Sequence, residues 1–246
     1  MNVSSRFDVA GHGVVVTGGA SGLGLAYGEV LAAHGARVTL IDVDADGVEA
    51  HAARLRQDGL DVRTAVADVT DHAALDRAID DAANEYRRLD VAFANAGIGS
   101  GPGFVAGWAG SERHRVEEGA LERYTDERWN RVIDVNLNGV FATTRAAARH
   151  MRPRGYGRII ITTSLAATQV EPVVGSAYMA AKAGARHFMH ALALELAAYG
   201  ITANAIAPGF FVTNIDGGHA HDPDLQAAVA KDIPMHRVGQ IGRAHV

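Results

Sequence analysis

Six short apolar runs, rich in β-branched residues, alternate along this chain with longer Ala-rich amphipathic stretches, and few folds accommodate that rhythm. Residues 14–16, 38–41, 62–67, 91–94, 159–161 and 202–206 read as strands. They are apolar on both faces, as strands buried inside a parallel sheet should be. Residues 23–34, 46–58, 71–87, 126–151 and 176–199 read as helices. His34-Gly35 and Tyr199-Gly200 look like helix ends with glycine just outside, and Thr70-Asp71 or Thr125-Asp126 could cap helix starts. Strict strand–helix alternation implies right-handed crossovers, and so an α/β fold with a doubly wound parallel sheet. The 246 residues are 48% hydrophobic and show no repeat, linker or low-complexity tract, so 1–246 is expected to form one domain around one large core.

Composition removes several function classes. A net charge of −5 and a pI near 6.2 offer no basic surface to nucleic acid or to anionic membrane. The chain has no cysteine, which excludes disulfides and thiolate chemistry. No apolar segment approaches the roughly 20 residues that span a bilayer, and residues 1–10 lack a secretory pattern, so a cytoplasmic location is expected. Among twelve histidines, His219-Ala220-His221 places two imidazoles close together. Without Cys or an evident third ligand, a substrate-side loop is expected there rather than a metal site. Glu117 and Glu118 read as solvated, and His187 and His190 as packing or subunit-contact residues.

The first strand runs into Thr17-Gly18-Gly19-Ala20-Ser21-Gly22-Leu23-Gly24, which opens the first helix. In such a turn Gly18 permits the reversal, Gly22 lets backbone approach a diphosphate, and Gly24 lets the helix pack close. The helix N-terminus then offers unpaired N–H groups to the phosphates, with Ser21, Gly22 and Leu23 around them. A lone glycine triplet reads as readily as an ordinary turn; its place in the first strand–helix connection favours a dinucleotide site. Asp42 ends the second strand, 18 residues beyond Gly24. Its carboxylate could accept both ribose hydroxyls and repel a 2′-phosphate, which favours NAD over NADP, or it could cap the turn that follows. Asp68-Val69 could contact the adenine, and Asn95-Ala96-Gly97 could let backbone pass close to the cofactor; both also suit plain loops.

Tyr178 and Lys182, four residues apart, share one face of the helix over 176–199. A free tyrosine titrates near 10, too high for a base at neutral pH, and a nearby ammonium would favour the phenolate. Ser164, at the end of the fifth strand, could hold a substrate oxygen near Tyr178. Alone, a Tyr-xxx-Lys pair signals no more than a helix surface.

In this order and spacing the residues resemble the short-chain dehydrogenase/reductase family over 11 to about 239. The matching residues are Thr17 to Gly24, Asp68, Asn95-Ala96-Gly97, Val135-Asn136-Leu137, Ser164, Tyr178-Met179-Ala180-Ala181-Lys182 and Pro208-Gly209. The resemblance implies a Rossmann-type fold and NAD(H)-dependent interconversion of a secondary alcohol and a ketone. It makes Tyr178 the acid/base, Ser164 the substrate-positioning group, Lys182 the ligand of the nicotinamide ribose, and Asn136 the holder of a relay water. Pro208, Gly209 and Thr213 would line the nicotinamide end. It also implies a homodimer or homotetramer, through a seam of the helices over 126–151 and 176–199. The alternatives are an NADP-dependent carbonyl reductase, a catalytically silent NAD(H)-binding protein, and a truncated fragment. The substrate itself is not legible beyond a small alcohol or ketone.

Three departures from the family pattern stand out. Ser164 to Tyr178 is one residue longer than expected, which leaves Thr163 as a substitute for Ser164. Residues 98–125, with Gly101, Pro102, Gly103, Phe104, Trp108 and a charged run over 112–118, form an enlarged connection: either a lid or pocket wall, or a solvated loop. Finally, the family continues with another helix, a seventh strand and a tail, whereas this chain ends Ile241-Gly242-Arg243-Ala244-His245-Val246. Those six residues resemble a common sequencing adapter read in frame, so 241–246 are expected to be non-native and residues 202–206 to form an exposed apolar sheet edge.

Overall fold

The computed structural model describes residues 8–107, 112–215 and 217–242. Trp108, Arg243, Ala244, His245 and Val246 lie outside the described residues. The order is β1 Gly13–Thr17, α1 Gly22–Ala33, β2 Arg37–Asp42, α2 Ala45–Gln57, β3 Val62–Val66, α3 His72–Tyr86 and β4 Val91–Ala94. A two-residue ribbon, β5 Val105–Ala106 against β6 His114–Arg115, precedes α4 Asp126–Ile133, α5 Gly139–Met151, β7 Gly157–Thr162, α6 Ser176–Leu196, β8 Ile201–Ile206 and α7 Pro223–Ala230. Strands β3-β2-β1-β4-β7-β8 lie side by side in one parallel sheet, the doubly wound arrangement expected from the alternation.

Period-two alternation along the strands divides the core into two layers. Val15, with Ile79, Met151, Ile159 and Leu192, belongs to the side covered by α3, α5 and α6. Val14 and Val16, with Leu40, Val48, Leu55 and Phe93, belong to the side covered by α1 and α2. The expectation that every strand is apolar on both faces holds for β1 and β4 and fails at the edges. In β3 and β8 buried and exposed positions mix, with Thr202 and Asn204 facing solvent, because an edge strand has fewer elements to cover it. The expected exposed edge at 202–206 is therefore partly polar.

Local chemistry sets the helix limits. Asp71 caps α3 through Ala73 N and Ala74 N, Thr125 caps α4 through Arg128 N, and Asp44 caps α2 through Gly47 N. Gly35 and Gly200 close their helices with φ of +84° and +66°. The helix expected over 126–151 is interrupted: residues 134–138 form a π turn, where a widened ring displaces one residue from the regular ladder. Asn136 sits in that turn. No described helix is long and apolar enough to cross a membrane.

Candidate active site

A cleft of about 1090 Å³ opens at the carboxyl ends of the strands and is lined by every residue expected there except Gly24 and Asn136. Its floor is the turn between β1 and α1. Gly18 and Gly22 have φ of +69° and +58°, a region open to glycine without strain. A side chain on Gly18 would begin 2.8 Å from Ala96 Cα, whereas beside Gly22 the one described neighbour is Thr213, 3.7 Å away, so backbone there is open to the cleft. Gly24 lies beneath the cleft: a Cβ on it would collide with the Gly18 carbonyl. Gly24 thus allows the close packing expected of it, and Gly28 adds a second close approach of α1 to the sheet, against Leu40 of β2. Ser21 makes no side-chain cap on α1, unlike the caps of α2, α3 and α4, so the first-turn N–H groups are left to the cleft.

Asp42 is tied to this floor. Its Oδ2 accepts from Ala20 N at 2.9 Å and its Oδ1 from Asp44 N at 3.0 Å. Asp44 caps α2, while Asp42 Oδ1 caps the turn that leads to it, so Asp42 serves that turn as well as standing at the cleft. Asp68 is exposed and accepts from the amide and hydroxyl of Thr70, both at 2.8 Å, while Val69 is buried. Asn95 is a strut: its Nδ2 donates to the Thr17 and Gly18 carbonyls, and its Oδ1 accepts from Thr162 Oγ1 at 2.9 Å. It therefore fixes the ends of β1, β4 and β7 relative to one another, a role its sequence context did not disclose.

At the other end, Tyr178 is half-buried on α6 and Lys182 lies one turn further. Lys182 is 2% exposed; its Nζ donates to the Thr162 carbonyl at 2.9 Å and lies 5.5 Å from the Tyr178 ring centroid. Burial lowers its pKa to about 8, since a desolvated ammonium is costly. Asn136 is fully buried, and its Nδ2 donates to the Ile98 and Val132 carbonyls. Among the described residues its Oδ1 has no hydrogen-bond partner, and both that oxygen and Lys182 Nζ lie within 3.4 Å of where a Gly97 side chain would begin. An orphaned acceptor beside a buried ammonium suits an ordered water.

The geometry separates Ser164 from Thr163. Thr163 is buried and its hydroxyl donates to the Ile206 carbonyl at 3.1 Å. Ser164 is half-buried; among the described residues its Oγ accepts from the local amide of Ala166 alone, and it lines both the cleft and an adjoining hollow of about 400 Å³. Tyr178, Gly209, Phe210 and Ile215 line both spaces too. The extra residue between Ser164 and Tyr178 is taken up in the connection over 165–175 without parting them. Thr213 and Pro208-Gly209 line the cleft as expected.

Of the two readings for 98–125, the first part is a wall. Gly103 N and Val105 N donate to the Val173 and Pro172 carbonyls, and Ser100 Oγ to the Gly175 carbonyl. Arg128, unnoticed in the sequence, clamps this wall: its guanidinium donates to the carbonyls of Ser100, Pro102 and Glu118 and lies 4.1 Å above the Tyr124 ring. Residues 112–118 are mostly exposed, and Glu117 and Glu118 do not line the cleft. His187 and His190 are exposed on α6, away from the cleft. His219 lines it from a short 3₁₀ turn, while His221 pairs with Asn214; among the described residues no three His, Asp or Glu gather as a metal site.

Comparison with known proteins places this geometry. The sequence profile of the short chain dehydrogenases matches residues 12–224. Galactitol 2-dehydrogenase of Rhizobium johnstonii is 35% identical over 97% of this chain and 87% of its own. The 3-oxoacyl-[acyl-carrier-protein] reductase FabG of Escherichia coli is 33% identical over 92% and 83%. A gluconate 5-dehydrogenase from Burkholderia cenocepacia, solved in complex with NADP and tartrate, superposes with a TM-score of 0.82 at 31% identity, over 96% of this chain and 86% of that one. With a glycine-rich dinucleotide turn, a parallel six-stranded sheet and these relatives, the chain belongs to the short-chain dehydrogenase/reductase family of oxidoreductases.

Proposed function

We propose that this protein interconverts a secondary alcohol and a ketone, with NAD(H) preferred over NADP(H). One observation carries the reading: Ser164, Tyr178 and Lys182 meet at one end of the cleft whose other end is the open glycine turn with Asp42 at its rim. The residues fit a dinucleotide. The uncapped α1 N-terminus and the bare Gly22 backbone would hold the diphosphate, Asp42 the adenosine ribose, Lys182 the nicotinamide ribose, and Pro208-Gly209 with Thr213 the nicotinamide end. A bound nicotinamide supplies the hydride acceptor or donor.

The chain's own groups manage the proton. In the oxidative direction the Tyr178 phenolate takes the substrate hydroxyl proton while Ser164 Oγ donates a hydrogen bond to the same substrate oxygen. The Lys182 ammonium, held by the Thr162 carbonyl, stabilises negative charge on the phenol. The free Asn136 Oδ1 would hold a water that links Lys182 to bulk solvent. The preference for NAD rests on Asp42, which has no basic neighbour in Val43 or Asp44 to neutralise a 2′-phosphate. The NADP bound to the gluconate dehydrogenase keeps the carbonyl-reductase alternative in view. Exposed Trp129, Phe141 and Leu194 on α4, α5 and α6 support the homodimer or homotetramer implied by the resemblance.

Tyr178→Phe tests the assignment. It keeps the ring and removes the proton carrier, so kcat/KM should fall at least ~100-fold on any accepted alcohol. Undiminished turnover would refute the role. Tight NADH binding with no turnover across a broad alcohol panel would instead favour the silent-binder alternative.

A further inference from the structure

We infer that Glu171 selects the substrate: it admits uncharged, hydroxyl-bearing secondary alcohols and their ketones, and it turns away those bearing a carboxylate. The inference rests on the oxidoreductase reading and adds a substrate class to it. The hollow beside Ser164 and Tyr178 is where a substrate would extend beyond its reacting carbon. Val173, Phe210 and Val229 contribute apolar wall, and the polar side is formed by Gln169, Glu171 and Asp232. Among the described residues lining this hollow there is no Lys, Arg or His.

Glu171 is half-buried and its backbone is pinned: its amide donates to Met179 Sδ at 3.4 Å, next to Tyr178, and its carbonyl accepts from Val174 N at 2.9 Å. Among the described residues its carboxylate takes part in no ion pair. A substrate hydroxyl entering this space can donate a charge-assisted hydrogen bond to Glu171, and Gln169 offers both a donor and an acceptor. A substrate carboxylate would lose its hydration beside a like charge, with no cation among the described lining residues to offset either cost. The relatives include enzymes named for gluconate and for galactitol, and Glu171 places this chain on the side of the neutral polyol.

The test compares secondary alcohols and ketones, each supplied as a carboxylic acid and as an uncharged partner: galactonate against galactitol, and 4-hydroxycyclohexanecarboxylate against its carboxamide. With the full chain and either nicotinamide dinucleotide, the uncharged member should show kcat/KM at least ~10-fold above the acid. The gap should narrow at high ionic strength. Glu171→Gln should collapse the ratio and Glu171→Lys should invert it, so the selection stays testable should one variant fold poorly. Equal rates on acid and uncharged partner, or a ratio unmoved by both variants, would overturn the selection while leaving the oxidoreductase reading standing. No turnover across the whole panel with either dinucleotide would overturn both.

Discussion

Replacing Lys182 by Met should make the protein more stable and nearly inactive. Lys182 is 2% exposed, and among the described residues its ammonium donates to one neutral carbonyl, that of Thr162. Burial lowers its pKa from 10.5 to about 8, which corresponds to a cost of about 3 kcal/mol for keeping the ammonium in the folded state. Methionine has nearly the same length and no charge, so it fills the space without a cavity. The Thr162 carbonyl loses its donor, which offsets about 1–2 kcal/mol of that relief. A net gain on the order of 1–2 kcal/mol remains, or roughly 2–4 °C in Tm for each kcal/mol in a chain of this size. Because the folded pKa lies below the unfolded one, the penalty is fully present below pH 8 and fades as the pH rises toward 10.5. The wild type should therefore approach the variant in stability across that window. Urea titrations of both proteins without cofactor at pH 7 and pH 9.5 measure this, and the difference between the two proteins isolates Lys182 from other titrating groups. A variant less stable than the wild type at pH 7, or a difference that does not shrink at pH 9.5, would refute the argument. Turnover should fall at least ~100-fold, as expected if the ammonium serves the Tyr178 proton transfer.

Two further expectations concern carboxylates. Asp42→Asn should lower the ratio of NAD to NADP turnover at least ~10-fold, read from kcat/KM with each dinucleotide, and an unchanged ratio would remove the basis for NAD preference. Asp90 is fully buried, with Arg88 Nε at 2.5 Å, Gly13 N at 2.8 Å and Arg154 at 3.3 Å. Burial alone would raise its pKa, but these partners hold it below the ordinary carboxylate range, so its stabilisation is present at neutral pH and lost in acid. Asp90→Ala should cost about 2–4 kcal/mol by urea denaturation at pH 7, and a loss under about 1 kcal/mol would show the buried pairing to be expendable.

The order of strands and helices was legible because burial imposes its periods directly on the residues: two for a strand, 3.6 for a helix. The glycine turn was legible for a related reason, since positive φ at Gly18 and Gly22 leaves few residue types eligible. Two departures in the fold follow from context that periodicity omits. The polar positions of β8 depend on its being an edge, and the π turn at 134–138 continues the apolar pattern of a helix while shifting one residue out of register. Asn136 could be expected at the site from the family resemblance, but its place in that π turn, with Oδ1 close to Gly97, is visible only in the folded chain. Likewise Arg128 looks like one more exposed helix arginine until its three carbonyl partners, 10 to 28 residues away, are in place.

By itself the sequence determined the layers of the fold, the dinucleotide turn and the pairing of Tyr178 with Lys182, because each depends on residues adjacent in the chain or one helical turn apart. Only the tertiary structure decided that Ser164 rather than Thr163 leaves its hydroxyl open to the cleft, that the first part of the enlarged connection after β4 is a wall, and that Glu171 and Tyr178 line one hollow. Those outcomes are set by hydrogen bonds and packing between segments distant in the chain, and no local pattern records which carbonyl a distant hydroxyl or guanidinium will reach.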